Sequence, residues 1–230
     1  QPFDGEEEDL PDLAVLQGFI RQLGHSDEYM RLAAIKKLTE LPLETYLSRS
    51  WVLTEELIVE LEKRLSSGEM EEVRLASMPL VLRIAAWQPM GAGLEKSVID
   101  ILNDQETPPA LRRKAIEVLV NTSYFTPELM VETARAISRN LYRSEDDEVS
   151  VLTVQAMGNM VKAYYNDGRP VAKELVQIMI DIIRNGSMNV LFYDEFGNML
   201  GEQRYEVAEP ARAGAVRSPW TASSGGGASP

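Results

Sequence analysis

The sequence has no cysteine and a single histidine, His25, in 230 residues. No disulfide, thiolate nucleophile, Fe–S cluster or cysteine-based zinc site can be built from it. One histidine also removes every metal motif that needs a histidine pair. Aromatic residues are few, at 7% with three tryptophans. No apolar run approaches the length that spans a bilayer, about 18 residues, and no stretch of the sequence reads as a signal peptide. Bases are outnumbered: 23 Lys and Arg stand against 36 Asp and Glu, a net charge of −13. Charge of that sign opposes neutralising the phosphates of duplex DNA, so no duplex nucleic-acid partner is expected.

What remains is a core-forming composition. Hydrophobic residues make up 44% of the chain, enough for one or two folded domains and too many for global disorder. The acids are uneven. Residues 1–12 hold six acids and no base, which reads as a flexible, solvated N-terminal segment. The chain opens at Gln1, as a processed protein or an excised domain would. The expectation is a soluble protein, either cytoplasmic or exported with its signal removed. Asn121-Thr122-Ser123 and Asn185-Gly186-Ser187 match the glycosylation triplet, which matters only on a secretory route.

A pattern recurs along the chain. Four segments open at Met30-Arg31, Val73-Arg74, Leu111-Arg112 and Val149-Ser150, spaced 43, 38 and 38 residues apart. Four places past each opening residue stands a small side chain: Ala34, Ser77, Ala115 and Thr153. An apolar one follows immediately (Ile35, Met78, Ile116, Val154), and another comes three places later (Leu38, Val81, Leu119, Met157). Offsets of four and eight return to one helix face, so each segment predicts an amphipathic helix. The small residue lets a neighbouring helix approach closely where they cross.

Each of these helices has a partner before it: Leu13 to Leu23, Leu57 to Leu65 after a Thr54 cap, Leu94 to Leu102, and Pro127 to about Tyr142 after a Thr126 cap. The breakers between partners are short, as at Gly24-His25-Ser26 and Thr107-Pro108-Pro109, and connections of that length join antiparallel neighbours. A longer connection, Leu43 to Trp51, follows the first pair. A ninth helix is expected over Val171 to Arg184.

Paired helices at this spacing, with an apolar-Arg opening and a small-residue column, resemble HEAT repeats over about residues 12–184. The arginine column departs from the pattern at Ser150. The resemblance implies an all-α, right-handed α-solenoid of about four helix pairs plus the ninth helix, over residues 13–186. After it, Val190-Leu191-Phe192-Tyr193 and Arg204-Tyr205-Glu206-Val207 flank a Gly197-Asn198 turn signal, so residues 187–208 read as a capping β-hairpin. Residues 209–230, rich in Ala, Gly, Ser and Pro, read as a flexible, disordered tail.

The catalytic patterns in the sequence are incomplete. Gly91-Ala92-Gly93-Leu94-Glu95-Lys96-Ser97 has Glu95 where a phosphate loop needs glycine, so it reads as a Gly-rich break before a helix. His25-Ser26-Asp27 holds triad residue types, but adjacent side chains cannot converge; Ser26 is expected as a helix cap with Asp27 beside it. Glu145-Asp146-Asp147-Glu148 lacks the alternating spacing of a calcium loop and suits the positive end of the helix that follows. A HEAT-like DNA glycosylase is a remote alternative, since neither Trp51 nor Trp87 starts a Trp-x-x-x-Asp arrangement. No catalytic residue, cofactor or metal is expected.

Among the tryptophans, Trp87 and Trp51 are expected to pack. Trp220, after Arg217-Ser218-Pro219, is a candidate linear-motif anchor. The leading expectation is a non-enzymatic protein-binding scaffold or adaptor that uses its concave surface and terminal segments. Lys36, Lys37, Arg83, Lys114 and Lys162, with Glu117 and Gln155, would line the inner wall of second helices. Most are basic, which suits an acidic peptide or partner helix. The alternative is a structural subunit of a larger assembly, docked through its C-terminal helix, hairpin and tail.

Overall fold

The computed structural model describes residues 12–143, 147–166, 187–193 and 199–206, together with Lys173, Val176, Gln177 and Ile180. The fold class is all-α. Among the described residues the helices are α1 (Leu13–Leu23), α2 (Glu28–Glu40), α3 (Leu43–Leu47), α4 (Trp51–Leu65), α5 (Glu71–Trp87), α6 (Gly91–Asn103), α7 (Pro109–Asn121), α8 (Met130–Arg143) and α9 (Asp147–Asn166). A 3-10 turn, Pro127–Leu129, leads into α8. Two strands, β1 (Ser187–Tyr193) and β2 (Met199–Glu206), pair antiparallel with Ser187 opposite Glu206 and Phe192 opposite Gly201. The turn signal at 194–198, the acidic segment 1–11 and the tail 207–230 lie outside the described residues. So does the helix expected over 171–184, apart from four residues in it that are helical. No helix among the described residues is long and apolar enough to cross a membrane.

The chain divides into two compact units, residues 1–80 and 81–230, and the division falls inside α5. In the first unit α1 packs on α2 and on α4, and α3 packs on α4. In the second, α6 packs on α7 and α8, and α9 packs on α7 and α8. First helix therefore lies on first helix (α6, α8) and second on second (α7, α9).

The repeated column is buried throughout. Ala34, Ser77, Ala115 and Thr153 have no exposed surface, and the eight apolar residues at the two following offsets are buried with them. Each fully buried Leu, such as Leu38 and Leu119, contributes about 1.5–3 kcal/mol relative to exposure. The hydroxyls placed in this column bond back along their own helices. Ser77 Oγ donates to Val73 O at 2.8 Å and Thr153 Oγ1 to Val149 O at 2.7 Å, which satisfies polar groups in an apolar seam.

The opening arginines turn back to the preceding connection. Arg31 Nη1 donates to His25 O and Ser26 O at 2.8 and 2.9 Å. Arg74 Nε donates to Leu65 O at 3.1 Å, and Arg112 Nη2 to Thr107 O at 3.0 Å. Carbonyls left over where one helix ends thus find a charged donor from the next.

Several local expectations are corrected. The cap of α2 is Asp27, whose carboxylate accepts from Tyr29 N at 2.8 Å, while the carbonyl of Ser26 is taken by Arg31. His25 Nδ1 accepts from Asp27 N at 3.0 Å, so all three residues serve the turn. Helix α4 begins at Trp51, capped by Ser50, whose Oγ accepts from Leu53 N at 3.3 Å. Thr54 is buried inside that helix and donates to Ser50 O at 3.0 Å. The inserted connection holds α3, because Leu43, Tyr46 and Leu47 share one buried face. Gly91 begins α6 at φ +78, a conformation only glycine takes without strain. Trp51 is 75% exposed and Trp87 40% exposed, so neither is a core residue. The buried stripe of α5 through Val81, Ile84 and Ala85 next falls on Gln88, one position past Trp87.

Candidate functional site

The basic positions expected along the second helices are all on helices, and their surroundings are mixed in charge. Lys36 and Lys37 are exposed on α2, and Lys37 Nζ pairs with Glu40 at 3.2 Å. Arg83 is half-buried on α5. Lys114 is exposed on α7 and pairs with Glu117 at 2.7 Å. Its neighbour Arg113 reaches Glu117 at 3.4 Å and Glu148 at 2.6 Å. The charge of Glu148 holds the Arg113 guanidinium above its ordinary pKa, with the hydrogen bonds to Glu117 and Glu148 adding to it. Gln155 and Lys162 are exposed on α9, which packs against α7. The second unit thus brings Lys114 and Lys162 onto adjoining helices, with Glu117 between the two arginine and lysine donors of α7. Lys36 and Lys37 belong to the first unit, and Trp220 lies outside the described residues.

Several buried polar side chains hold neighbouring helices together. Glu95, with no exposed surface, accepts from Thr126 N at 2.7 Å and from Thr133 Oγ1 at 3.0 Å. It fastens α6 to the 3-10 turn and to α8, and it occupies the place where a phosphate loop would carry glycine. Beside it, Lys96 Nζ bridges Asp100 at 2.7 Å and Glu132 at 2.6 Å. Those two hydrogen bonds, to Asp100 first, raise the Lys96 pKa above the ordinary lysine value of 10.5. Asn140 is buried between α8 and α9 and donates to Thr153 Oγ1 at 3.0 Å. Asn159 Nδ2 donates to Leu119 O and Thr122 O at 3.0 and 2.8 Å, which ties α9 to the end of α7. Among the described residues no group of three or more acids and histidines is placed to hold a metal ion.

A groove that the sequence did not announce lies between α1 and α4 in the first unit. It encloses about 420 Å³ and is lined by Ile20 and Arg21 on one side and Glu55, Glu56, Val59 and Glu60 on the other. Glu60 Oε1 accepts from Lys63 Nζ at 2.7 Å. Its Oε2 is shielded from solvent and accepts no hydrogen bond among the described residues. Trp51 and Val52, both exposed, stand on the same helix one turn before Glu55 and Glu56. The signal available in the sequence was the spacing Trp51, Glu55, Val59, four residues apart on one helix face. It was obscured because α4 starts earlier than Leu57.

No protein-family model matches the chain, and no curated protein is similar to it. Solved structures are. One, described as the crystal structure of an engineered protein, superposes with a TM-score of 0.56 at 16% identity, covering 89% of this chain and 77% of that one. At that identity the likeness concerns the fold alone.

Proposed function

We propose that the chain is a HEAT-like α-solenoid that works as a non-enzymatic protein-binding scaffold. The observation that carries this reading is the fourfold burial of one small-residue column at matching offsets. A column of that kind is what stacked helix pairs need where they cross. The packing of first helix on first and second on second in residues 81–230 supports the same reading. Buried polar groups such as Glu95, Asn140 and Thr153 are engaged in holding helices together, which leaves the chain's outward helix faces for partners. The second-helix surface of each unit remains a candidate, with Lys36 and Lys37 as its bases in the first and Arg83, Lys114 and Lys162 in the second. The glutamates beside Lys37 and Lys114 temper its preference for an acidic peptide.

The second reading, a structural subunit of a larger assembly, draws on β1 and β2. In a two-stranded sheet both strands present an edge, and an unpaired edge is a template for a partner strand. One affinity experiment separates the two. The full chain and a version ending at Gly186 are used to retain partners from source extract after cross-linking. A partner kept by both versions supports the scaffold, and charge reversal at Lys37, Arg83 and Lys114 then tests which surface holds it. A partner kept only by the full chain supports the assembly subunit. Retention of no partner by either counts against both.

A further inference from the structure

We propose that the α1/α4 groove is the docking site for an amphipathic helix of a partner protein that carries Lys or Arg along the edges of its apolar face. This rests on the scaffold reading and gives it a class of partner. The groove has an apolar part, with buried Ile20 as floor and half-exposed Val59 as wall. Trp51 and Val52 extend that surface by two turns along α4, and Trp51 is the most exposed large hydrophobic residue among those described. Tryptophan standing in water on a regular helix, above an apolar groove, is the residue type that anchors interfaces. Helix α4 has 15 residues. At about 1.5 Å per residue it presents a track of about 22 Å, the length of four turns of a partner helix.

The charge along the track selects the partner. Glu55, Glu56 and Glu60 line the groove, and Arg21 is the one base among the lining residues. On the solvent face of α4 the apolar and acidic residues alternate by helical turns: Trp51, Glu55 and Val59 on one stripe, Val52 and Glu56 on the next. A helix laid against it would set apolar residues over Val52, Val59 and Trp51 and meet Glu55, Glu56 and Glu60 along the second and third turns of α4. Lys or Arg beside its apolar face satisfies those carboxylates, and acidic residues there would be repelled. Glu60, whose Oε2 has no hydrogen-bond partner among the described residues, lines the groove and adds a third carboxylate to it. A second copy of this chain is the wrong occupant, because a net charge of −13 sets acid against acid.

The test uses the full chain and fluorescence anisotropy with a fluorescein-labelled peptide of about 14 residues, Leu and Lys only, with Leu at helical spacing. A scrambled peptide of the same composition and a Leu and Glu peptide serve as controls. Two chain variants of equal charge are compared, Glu55→Gln with Glu56→Gln in the groove and Glu71→Gln with Glu72→Gln at the start of α5, and thermal melts verify that both fold. The Leu and Lys peptide is expected to bind at least about tenfold more tightly than its scramble, since only the ordered spacing engages the apolar track. The groove variant is expected to weaken it by about fivefold or more and the α5 variant by less than about twofold. Trp51→Ala should cost about fivefold as well. Equal binding of the scramble, or equal loss in both charge variants, overturns the site and leaves only diffuse attraction to an acidic protein. Tighter binding of the Leu and Glu peptide overturns the basic partner while leaving the scaffold reading standing. If no peptide binds, the proposal fails, and the cross-linking experiment then decides separately whether the scaffold reading fails with it.

Discussion

In the first unit Glu69 sits between Arg31 and Arg64, and the three side chains are only 6%, 11% and 14% exposed. In the second unit Glu95 is fully buried, and its hydrogen bonds come from a backbone N–H and a threonine hydroxyl. Both carboxylates fasten one helix pair to what surrounds it. They do so by opposite routes. Glu69 balances charge with charge, so its removal leaves two mostly buried cations without their counter-charge. Glu95 relies on oriented dipoles, so its removal strands two neutral donors. The same helical frame thus accepts either a charge-balanced or a dipole-solvated fastening, and the two differ in what remains when the acid is lost.

The sharpest way to break the comparison is at Glu69. Glu69→Ala is expected to cost about 3–5 kcal/mol, the range for removing one partner of a buried ion pair, measured by urea unfolding. Glu95→Ala comes next, at about 2–4 kcal/mol, because two orphaned donors lose about 1–3 kcal/mol each and the loss is partly offset by removing the burial cost of the carboxylate itself. If Glu95→Ala costs more than Glu69→Ala, charge balance is the lesser of the two constraints and the contrast is reversed.

The column both units share gives a smaller and more even effect. Ala34→Leu and Ala115→Leu each add bulk where no surface is exposed, and each is expected to destabilise by about 1–3 kcal/mol. A large difference between these two would mean that the column does not do the same work in both units.

The smallest effect is on pH. Lys96 has its pKa raised in the folded state, so its contribution is complete below the ordinary lysine value of 10.5 and fades as pH rises through the folded value. Because Lys96 is 44% exposed, its bridge to Asp100 and Glu132 contributes under about 1 kcal/mol. Lys96→Met should remove a slight loss of stability above that pH without altering stability curves near neutrality by more than that amount.

The helical pairs were legible because burial imposes a period. Ala34, Ser77, Ala115 and Thr153 repeat at fixed offsets from their opening residues, and all four are buried. Helix starts were less legible, because several capping side chains stand close together. Ser26 and Asp27 compete for one cap, as Ser50 and Thr54 do, and the winner depends on which carbonyls the arginine or the packed face has already claimed. The glutamates that pair with Lys37 and Lys114 stand three residues after them in the sequence, and Glu117 is legible beside the bases, but a pairing at i+3 depends on rotamers that spacing alone does not fix. The groove was the least legible, because its two walls are more than thirty residues apart in the chain and neither wall alone is concave.

The arginines that reach back to the preceding turn also bear on the order in which the chain can fold. Arg31 spans five and six residues to its acceptors, Arg112 spans five and Arg74 nine, all far less than one repeat. Contacts so local close with little loss of chain entropy. As the chain leaves the ribosome, each of these three connections can therefore be clasped as soon as the opening of its second helix emerges, before the following pair has been made.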